Sequence, residues 1–594
     1  MTAGQAESRS VSRVGMRVDW DVPIPMSDGI VLRADVFRPP DAGAYAVLLS
    51  SGPYAKGLAF QEGYVPQWNK LIADFPEFLE GSTNEYQNWE VVDPERWVPD
   101  GYVCVRVDSR GSGRSPGFLD LWSERETRDL YECIEWAAGQ SWSNGRVGLC
   151  GISYFAMNQY QVAALRPPHL AAIVPWEGAN DWYREVTHHG GILCEFARRW
   201  FPIQVSTVQH GVGERGARSR ITSELVAGPP TLTDVELERN RADFPSDVKD
   251  RPLMDAWYED RNPDWTRVSV PMLSCGNWGG QNLHLRGNVE AFVNAATAQK
   301  WLEIHGDAHW AHFYTNYGLR LQKRFLDHFL KDAATWTDEP RVRLQIRHIP
   351  ERYVERHEDA WPLLGTRWTR YRLDLAGMRL SETPLAVAST IDYDASGSGL
   401  TFLTDPLSEP TEITGPVAAK LFVASDTTDA DLFLVLRVFD PDGEEVTFQG
   451  AVDPNTPISQ GWLRASHRKL DAERSTPYRP FHRHDELQPL TPGEVYELDA
   501  EIWPTCIVVP TGYRVGFTVR GNDYQYEGEL SDFARTFHYA NRGVGSFTHA
   551  DPDDRPTSIF GGRVTLHSGG DRDAYVLLPI IPERGRAARG GGAG

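Results

Sequence analysis

The residues with the clearest chemical meaning lie in Val147-Gly-Leu-Cys-Gly151-Ile-Ser153-Tyr154-Phe-Ala156, where an apolar strand runs into a helix stopped by Pro167 and Pro168. Gly-x-Ser at such a junction makes a turn so tight that the serine backbone is strained and its hydroxyl points outward, the setting of an acyl-transfer nucleophile. Small residues must flank the turn because strand and helix nearly touch. Gly151 fills one place and Ala156 the other, while position 155, where a strict G-x-S-x-G has glycine, is Phe. A serine hydroxyl is a weak nucleophile until a base takes its proton. Downstream, the strand at 301–304 runs into His305-Gly-Asp307-Ala-His309-Trp-Ala-His312, which offers three histidines for that task. The same cluster could instead ligate a metal. No H-E-x-x-H helix or cysteine pair accompanies it, however, and the serine turn would then be unexplained. The Gly-rich stretch 110–117 lacks the Lys-Ser/Thr of a phosphate-binding loop. A serine mechanism needs no metal and no cofactor, and none is expected.

The elements that must position these residues are of two kinds. Up to about 331, mainly apolar runs at 45–50, 102–107, 146–150, 170–175, 271–276 and 300–305 alternate with helical stretches, as in a largely parallel sheet covered on both faces. Between 127 and 138, for example, Leu130, Cys133, Ile134 and Ala137 fall at helical spacing, and Asn144-Gly145 then turns the chain. From about 181 to 265 this rhythm stops. That charge-rich segment, with helical patches such as 234–242, reads as a helical cap inserted over the site. Beyond about 339 the period becomes two: Tyr513, Val515, Phe517 and Val519 alternate with Arg514, Gly516, Thr518 and Arg520. Many short strands with Gly, Pro and Asp turns predict a β-sandwich, of the jelly-roll kind. The expected division is an α/β domain at 1–180 and 266–335, a cap at 181–265, a sandwich at 336–582 and a disordered Arg/Gly/Ala-rich tail at 583–594.

Four further stretches carry a likeness: Met26-Ser-Asp-Gly29 with Leu32-Arg-Ala-Asp-Val-Phe-Arg-Pro39; Ser51-Gly-Pro-Tyr54-Ala-Lys56; Asp108-Ser-Arg110-Gly111-Ser-Gly113-Arg-Ser115-Pro-Gly117; and Gly151-x-Ser153-Tyr154. Together they resemble the bacterial cocaine esterase and X-prolyl dipeptidyl-peptidase family of serine acyl hydrolases, which includes the α-amino-acid ester hydrolases. The resemblance implies an α/β hydrolase with a helical cap and a C-terminal jelly roll. It implies an oxyanion hole made of the Tyr54 phenol and the Tyr154 backbone N–H, although Tyr54 alone reads equally well as a packed aromatic. It also implies His309 as base, matching the family's Gly-Pro-Trp-x-His and the chain order nucleophile, acid, base. The acid departs from the pattern. Where the family has Gly-Gly-Trp-x-Asp, this chain has Gly276-Asn277-Trp278-Gly279-Gly280. Glu177 is the candidate replacement, because it follows the strand beside the nucleophile strand and neighbouring strand ends open onto one crevice. Asp307 and Asp181 remain alternatives.

The expected reaction is attack by Ser153, deprotonated by His309 with Glu177 behind it, on an acyl ester or activated amide of small-molecule size. X-prolyl dipeptidyl-peptidase and α-amino-acid ester hydrolase are the alternatives. A degenerate hydrolase serving a binding module is the non-enzymatic one. Trp176, His188 and Trp278 are expected near the substrate. The formal charge of −22 argues against nucleic acid or an anionic membrane as partner, since either calls for a basic face. Six widely spaced cysteines in apolar runs read as buried thiols. With no secretory signal in 1–17 and no long apolar run, the cytoplasm is the expected compartment; self-association is left open.

Overall fold

The computed structural model describes residues 9–13, 15–529 and 542–582. The tail expected at 583–594 lies outside them. The first half contains β1 (Arg9–Arg13), β2 (Met16–Pro25), β3 (Val31–Arg38), β4 (Tyr45–Gly52), β5 (Tyr102–Asp108), β6 (Ser143–Ile152) and β7 (Leu170–Trp176). A short ribbon of β8 (His188–His189) and β9 (Ile192–Leu193) follows, then β10 (Met272–Asn277), β11 (Lys300–His305), β12 (Val342–His348) and β13 (Arg352–Glu358). Apart from the ribbon these form one sheet in the order β1-β2-β3-β5-β4-β6-β7-β10-β11-β12-β13. It is parallel from β5 to β12 and antiparallel at both edges.

Every residue of β5 is buried, as an apolar run covered on both faces must be. The helices Glu124–Ala138, Tyr154–Leu165, Leu285–Asn294 and Asn316–Lys331 pack against the sheet strands. Helix 316–331 lays Leu326 and Leu330 so close over β6 that a Cβ at Gly148 would meet Leu330 Cδ2 at 2.8 Å. The chain steps from β4 out to β5 and returns to β6 on the other side of β4, so the loops beyond these strands diverge and open a crevice at their carboxyl ends. The sheet also continues through β12 and β13, past the boundary expected at 335. Val342–His348 pairs in parallel with β11 as readily as it leads into the second half.

Between β7 and β10 the chain makes a long excursion of short helices, among them Phe196–Trp200, Asp234–Arg239 and Phe244–Lys249. In the second half, strands Arg367–Asp374, Tyr575–Ile581, Thr411–Ser425 and Tyr496–Val509 form one layer. Leu400–Leu403, Arg514–Arg520, Asp431–Phe439 and Ser459–Arg464 form the other. Single pairings, Gly461 with Ile502 and Arg379 with Leu403, join the layers at their edges, so the whole closes like a barrel. Leu432, Leu434, Leu436, Val515, Phe517 and Val519 fill its core, the inward set that two-residue alternation selects. All six cysteines are free and buried. Among the described residues no helix is long and apolar enough to cross a membrane.

Candidate active site

β6 ends at Ile152, and Ser153 takes φ 55° and ψ −113° before the helix Tyr154–Leu165 begins. Such a backbone costs of order 1–3 kcal/mol and persists only where its surroundings hold it. Here the Ser153 N–H reaches the carbonyls of Trp176 and Glu177, each at 3.1 Å, and the Ser153 carbonyl accepts from Ala156 and Met157. A Cβ at Gly151 would meet Phe155 Cβ at 2.5 Å, which is why that place must be glycine. Phe155 is accommodated from the far side: its ring lies where a Cβ on Gly52 would be, 2.5 Å from Cε1. The glycine missing from the strict motif is thus supplied by β4.

Four ionisable groups converge on this turn. Glu177, fully buried after β7 with φ 51°, accepts from His309 Nδ1 at 2.8 Å, His305 Nε2 at 3.2 Å and Asn277 Nδ2 at 3.3 Å. Burial alone would raise its carboxyl, but the two imidazoles hold it down at about 2. His309 Nε2 turns to Glu90 Oε1 at 3.1 Å. Burial opposes charge on this ring, yet Glu177 and Glu90 lift it to about 10, so it is an imidazolium at neutral pH. Glu90, itself at φ 62°, is pushed up to about 7 by burial, and its Oε2 has no partner at hydrogen-bond geometry among the described residues.

The fourth group is His284, which precedes the helix Leu285–Asn294. Its Nε2 lies 3.3 Å from Ser153 Oγ, and its ring stacks on His309 with centroids 4.8 Å apart and planes 10° from parallel. Burial and the charged His309 keep it well below the usual imidazole range, so it is neutral, and in its Nδ1–H tautomer it accepts the serine proton at Nε2. The contact expected between Ser153 and His309 is therefore made by His284.

Of the three carboxylates considered as acid, Glu177 is the one on the His309 ring. Asp307 turns to His312 Nε2 at 2.8 Å, and Asp181 to Arg184 at 2.8 Å. His305 faces Glu303 and Glu177 and His312 faces Asp307, so of the suspected ligand set only His309 joins a compact donor group, with Glu177 and His284. Tyr54 and Ser153 line the same cavity. The Tyr54 oxygen accepts from Trp200 Nε1 at 3.2 Å, and burial keeps the phenol protonated, leaving its O–H to donate. The Tyr154 hydroxyl is committed to Glu126 at 2.6 Å, while its amide, first in the helix, lacks an intrahelical acceptor.

The cavity measures about 550 Å³. Tyr54, Trp89, His284 and His309 wall it from the α/β part, Phe196 and Trp200 from the excursion, and Val452 and Phe547 from the C-terminal part. Trp176, His188 and Trp278 are not on its wall. Trp176 ends β7, fully buried, with its ring on His305. Trp278 is buried with its Nε1 on the Gln345 carbonyl, and His188 stacks on Tyr183. Sequence reasoning missed His284 and Glu90. His284 could have been found as the histidine of a post-strand loop opening on the crevice; nothing in its neighbours marks Glu90.

Residues 28–314 match the X-Pro dipeptidyl-peptidase (S15 family) profile, and residues 334–530 the X-Pro dipeptidyl-peptidase C-terminal non-catalytic domain. A CocE/NonD family hydrolase of Staphylococcus aureus, solved as a crystal structure, is 30% identical and superposes with a TM-score of 0.81 over 95% of this chain and 94% of that one. The chain belongs to this family. It is a serine hydrolase. The cocaine esterase of Rhodococcus sp. (strain MB1 Bresler) is 23% identical over 94% of this chain and 98% of its own. A putative Xaa-Pro dipeptidyl-peptidase of Streptomyces avermitilis is 24% identical over 72% and 68%.

Proposed function

We propose that this hydrolase cleaves an acyl ester, or an activated amide, through an acyl-enzyme on Ser153. The observation that carries the reading is the outward serine itself, 3.3 Å from a neutral imidazole on the wall of an aromatic cavity. As Oγ attacks the carbonyl, its proton passes to His284 Nε2, and the Tyr54 phenol with the Tyr154 N–H holds the oxyanion. Burial and the stacked His309 imidazolium oppose charge on His284, and the Glu177 carboxylate beside His309 offsets part of that cost. His284 then protonates the leaving group, and water releases the acyl chain by the same route.

The 2.8 Å contact of Glu177 with His309 favours a second reading, in which His309 gives up Glu90, sheds its proton and serves Ser153 itself, as the sequence leads one to expect. His284→Asn separates the two. Direct proton transfer requires acylation to slow by about three orders of magnitude or more, in the range that follows disabling a catalytic imidazole. A loss under about tenfold would pass the role to His309.

The excursion's place on the cavity wall supports its reading as a cap, and the two strand layers support a jelly-roll kind of sandwich closed at its edges. The aromatic wall suits a bulky or aromatic acyl group better than a charged peptide terminus. Glu90, with one oxygen unpaired among the described residues and its side chain on the cavity wall, is the feature that would serve an α-ammonium substrate. Comparing kcat/KM on a phenyl or benzoyl ester with that on an Ala-Pro anilide decides between them. Faster cleavage of the anilide would overturn the ester assignment.

A further inference from the structure

At the seam between the excursion and the C-terminal part, away from the serine, His189, Cys194 and His549 bring one donor atom each to within 4.8 Å of one another, all buried. The protonation of both rings is fixed from outside. His189 Nε2 lies 3.1 Å from the Glu185 carbonyl, which can only accept, so that nitrogen carries a hydrogen. His549 Nδ1 lies 2.7 Å from Asp523 Oδ1, whose other oxygen takes the His549 backbone N–H at 2.7 Å, so Nδ1 carries the hydrogen there. The two nitrogens left over, His189 Nδ1 and His549 Nε2, face each other at 2.8 Å. In neutral imidazoles both would present lone pairs, which repel at that distance. Something positive has to sit between them.

We propose that this is a metal site, taking zinc(II) on His189 Nδ1, His549 Nε2 and the Cys194 thiolate. Nitrogen and sulfur donors of this kind suit a borderline-soft ion. With zinc–nitrogen bonds of about 2.0–2.1 Å, tetrahedral geometry holds two ligand nitrogens about 3.3 Å apart, so the rings need open by only about half an ångström. Asp523 behind His549 and the Glu185 carbonyl behind His189 are the outer partners that fix tautomer and ring direction in such sites. Trp462 packs on His189 with centroids at 4.7 Å and Phe433 on His549 at 5.4 Å, giving a dry shell. A cavity of about 400 Å³ lined by Asp523 and His549 offers the way in. Binding displaces the thiol proton of Cys194 to solvent. The site sits behind the substrate cavity: Cys194 is two residues from Phe196 and His549 two from Phe547, and those rings meet at 5.3 Å on the cavity wall. A metal here clamps that wall.

The test uses the full-length protein stripped with a chelator and titrated with Co²⁺ and Zn²⁺. One equivalent is expected to bind, with a thiolate-to-cobalt charge-transfer band, and Zn²⁺ should raise the Tm. Cys194→Ser, near-isosteric, should abolish the band and the Tm shift, and Asp523→Asn should weaken binding about 10–100-fold. His284→Ala should leave both intact, which separates this site from the Glu177, His284 and His309 donors. The proposal is overturned if no band appears, or if binding survives Cys194→Ser and is lost in His284→Ala. It is equally overturned if nitrogen NMR shows His549 doubly protonated with Zn²⁺ in excess, since a proton would then fill the gap.

Discussion

The crevice at the ends of β6, β7, β10 and β11 and the C-terminal strand layers bury charge in opposite ways. In the latter, Asp431 is met by Arg464 at 2.8 and 3.1 Å and by Arg555 at 2.7 Å, and Arg464 also holds Asp554. Burial works against the Asp431 carboxylate, but the two guanidiniums keep it below the usual range. Each charge of that group faces one of opposite sign. In the crevice, Glu177 is shared by His309 and His305, Glu90 lies on the far side of His309, and Ser153, Glu177 and Glu90 all hold positive φ. Burial pushes Glu90 up to about 7, so it changes protonation near neutral pH. The comparison separates charge placed to fix a structure from charge placed to accept a proton.

The largest expected effect is that of Ser153→Ala, which should lower kcat by about 10⁶ while leaving the Tm unchanged, because alanine fits the turn. Turnover near the wild-type rate in a pure preparation would end the serine assignment. Glu177→Gln should lower kcat with little change in KM, and by the about 10⁴ of a neutralised triad acid if His309 rather than His284 serves Ser153. A loss under about tenfold would show that the negative charge beside His309 is dispensable. Tyr54→Phe, read by the same kinetics, should cost about 10²–10³, the usual effect of one oxyanion donor.

The pH profile sharpens the comparison. Glu90 is raised to about 7, so it is ionised above that pH and neutral below it. Hence kcat/KM should fall about tenfold per unit as pH drops below about 7 and level off above it. Glu90→Gln should remove that limb, and a limb that stays in place would exclude Glu90 as its source. The smallest effect on turnover is expected from Asp431→Asn. Leaving two buried guanidiniums short of a partner should cost about 3–5 kcal/mol in unfolding experiments, with kcat per folded molecule unchanged. A drop in kcat at constant fold would join the two regions and undo the contrast.

What was legible in the sequence was local or periodic. The turn at Ser153 shows because strand, glycine and helix are contiguous. Glu177 shows because it directly follows the next strand, and the core of the second half because residues such as Val515, Phe517 and Val519 keep a period of two. What stayed hidden depends on which way a side chain turns. Trp176 and Glu177 are adjacent, yet Trp176 packs on His305 off the cavity wall while Glu177 reaches His309. His284 reaches Ser153 across 131 residues and Glu90 reaches His309 across 219, separations that no local pattern encodes. Phe155 looked like a broken motif only because Gly52, which makes room for it, lies a hundred residues upstream.

The most direct test of the central claim is mass spectrometry of the protein after reaction with a fluorophosphonate. One phosphonyl group should be found on the peptide carrying Ser153, with labelling that slows below about pH 7 as Glu90 takes up its proton. No adduct, or an adduct on another residue with Ser153 unmodified, would contradict it.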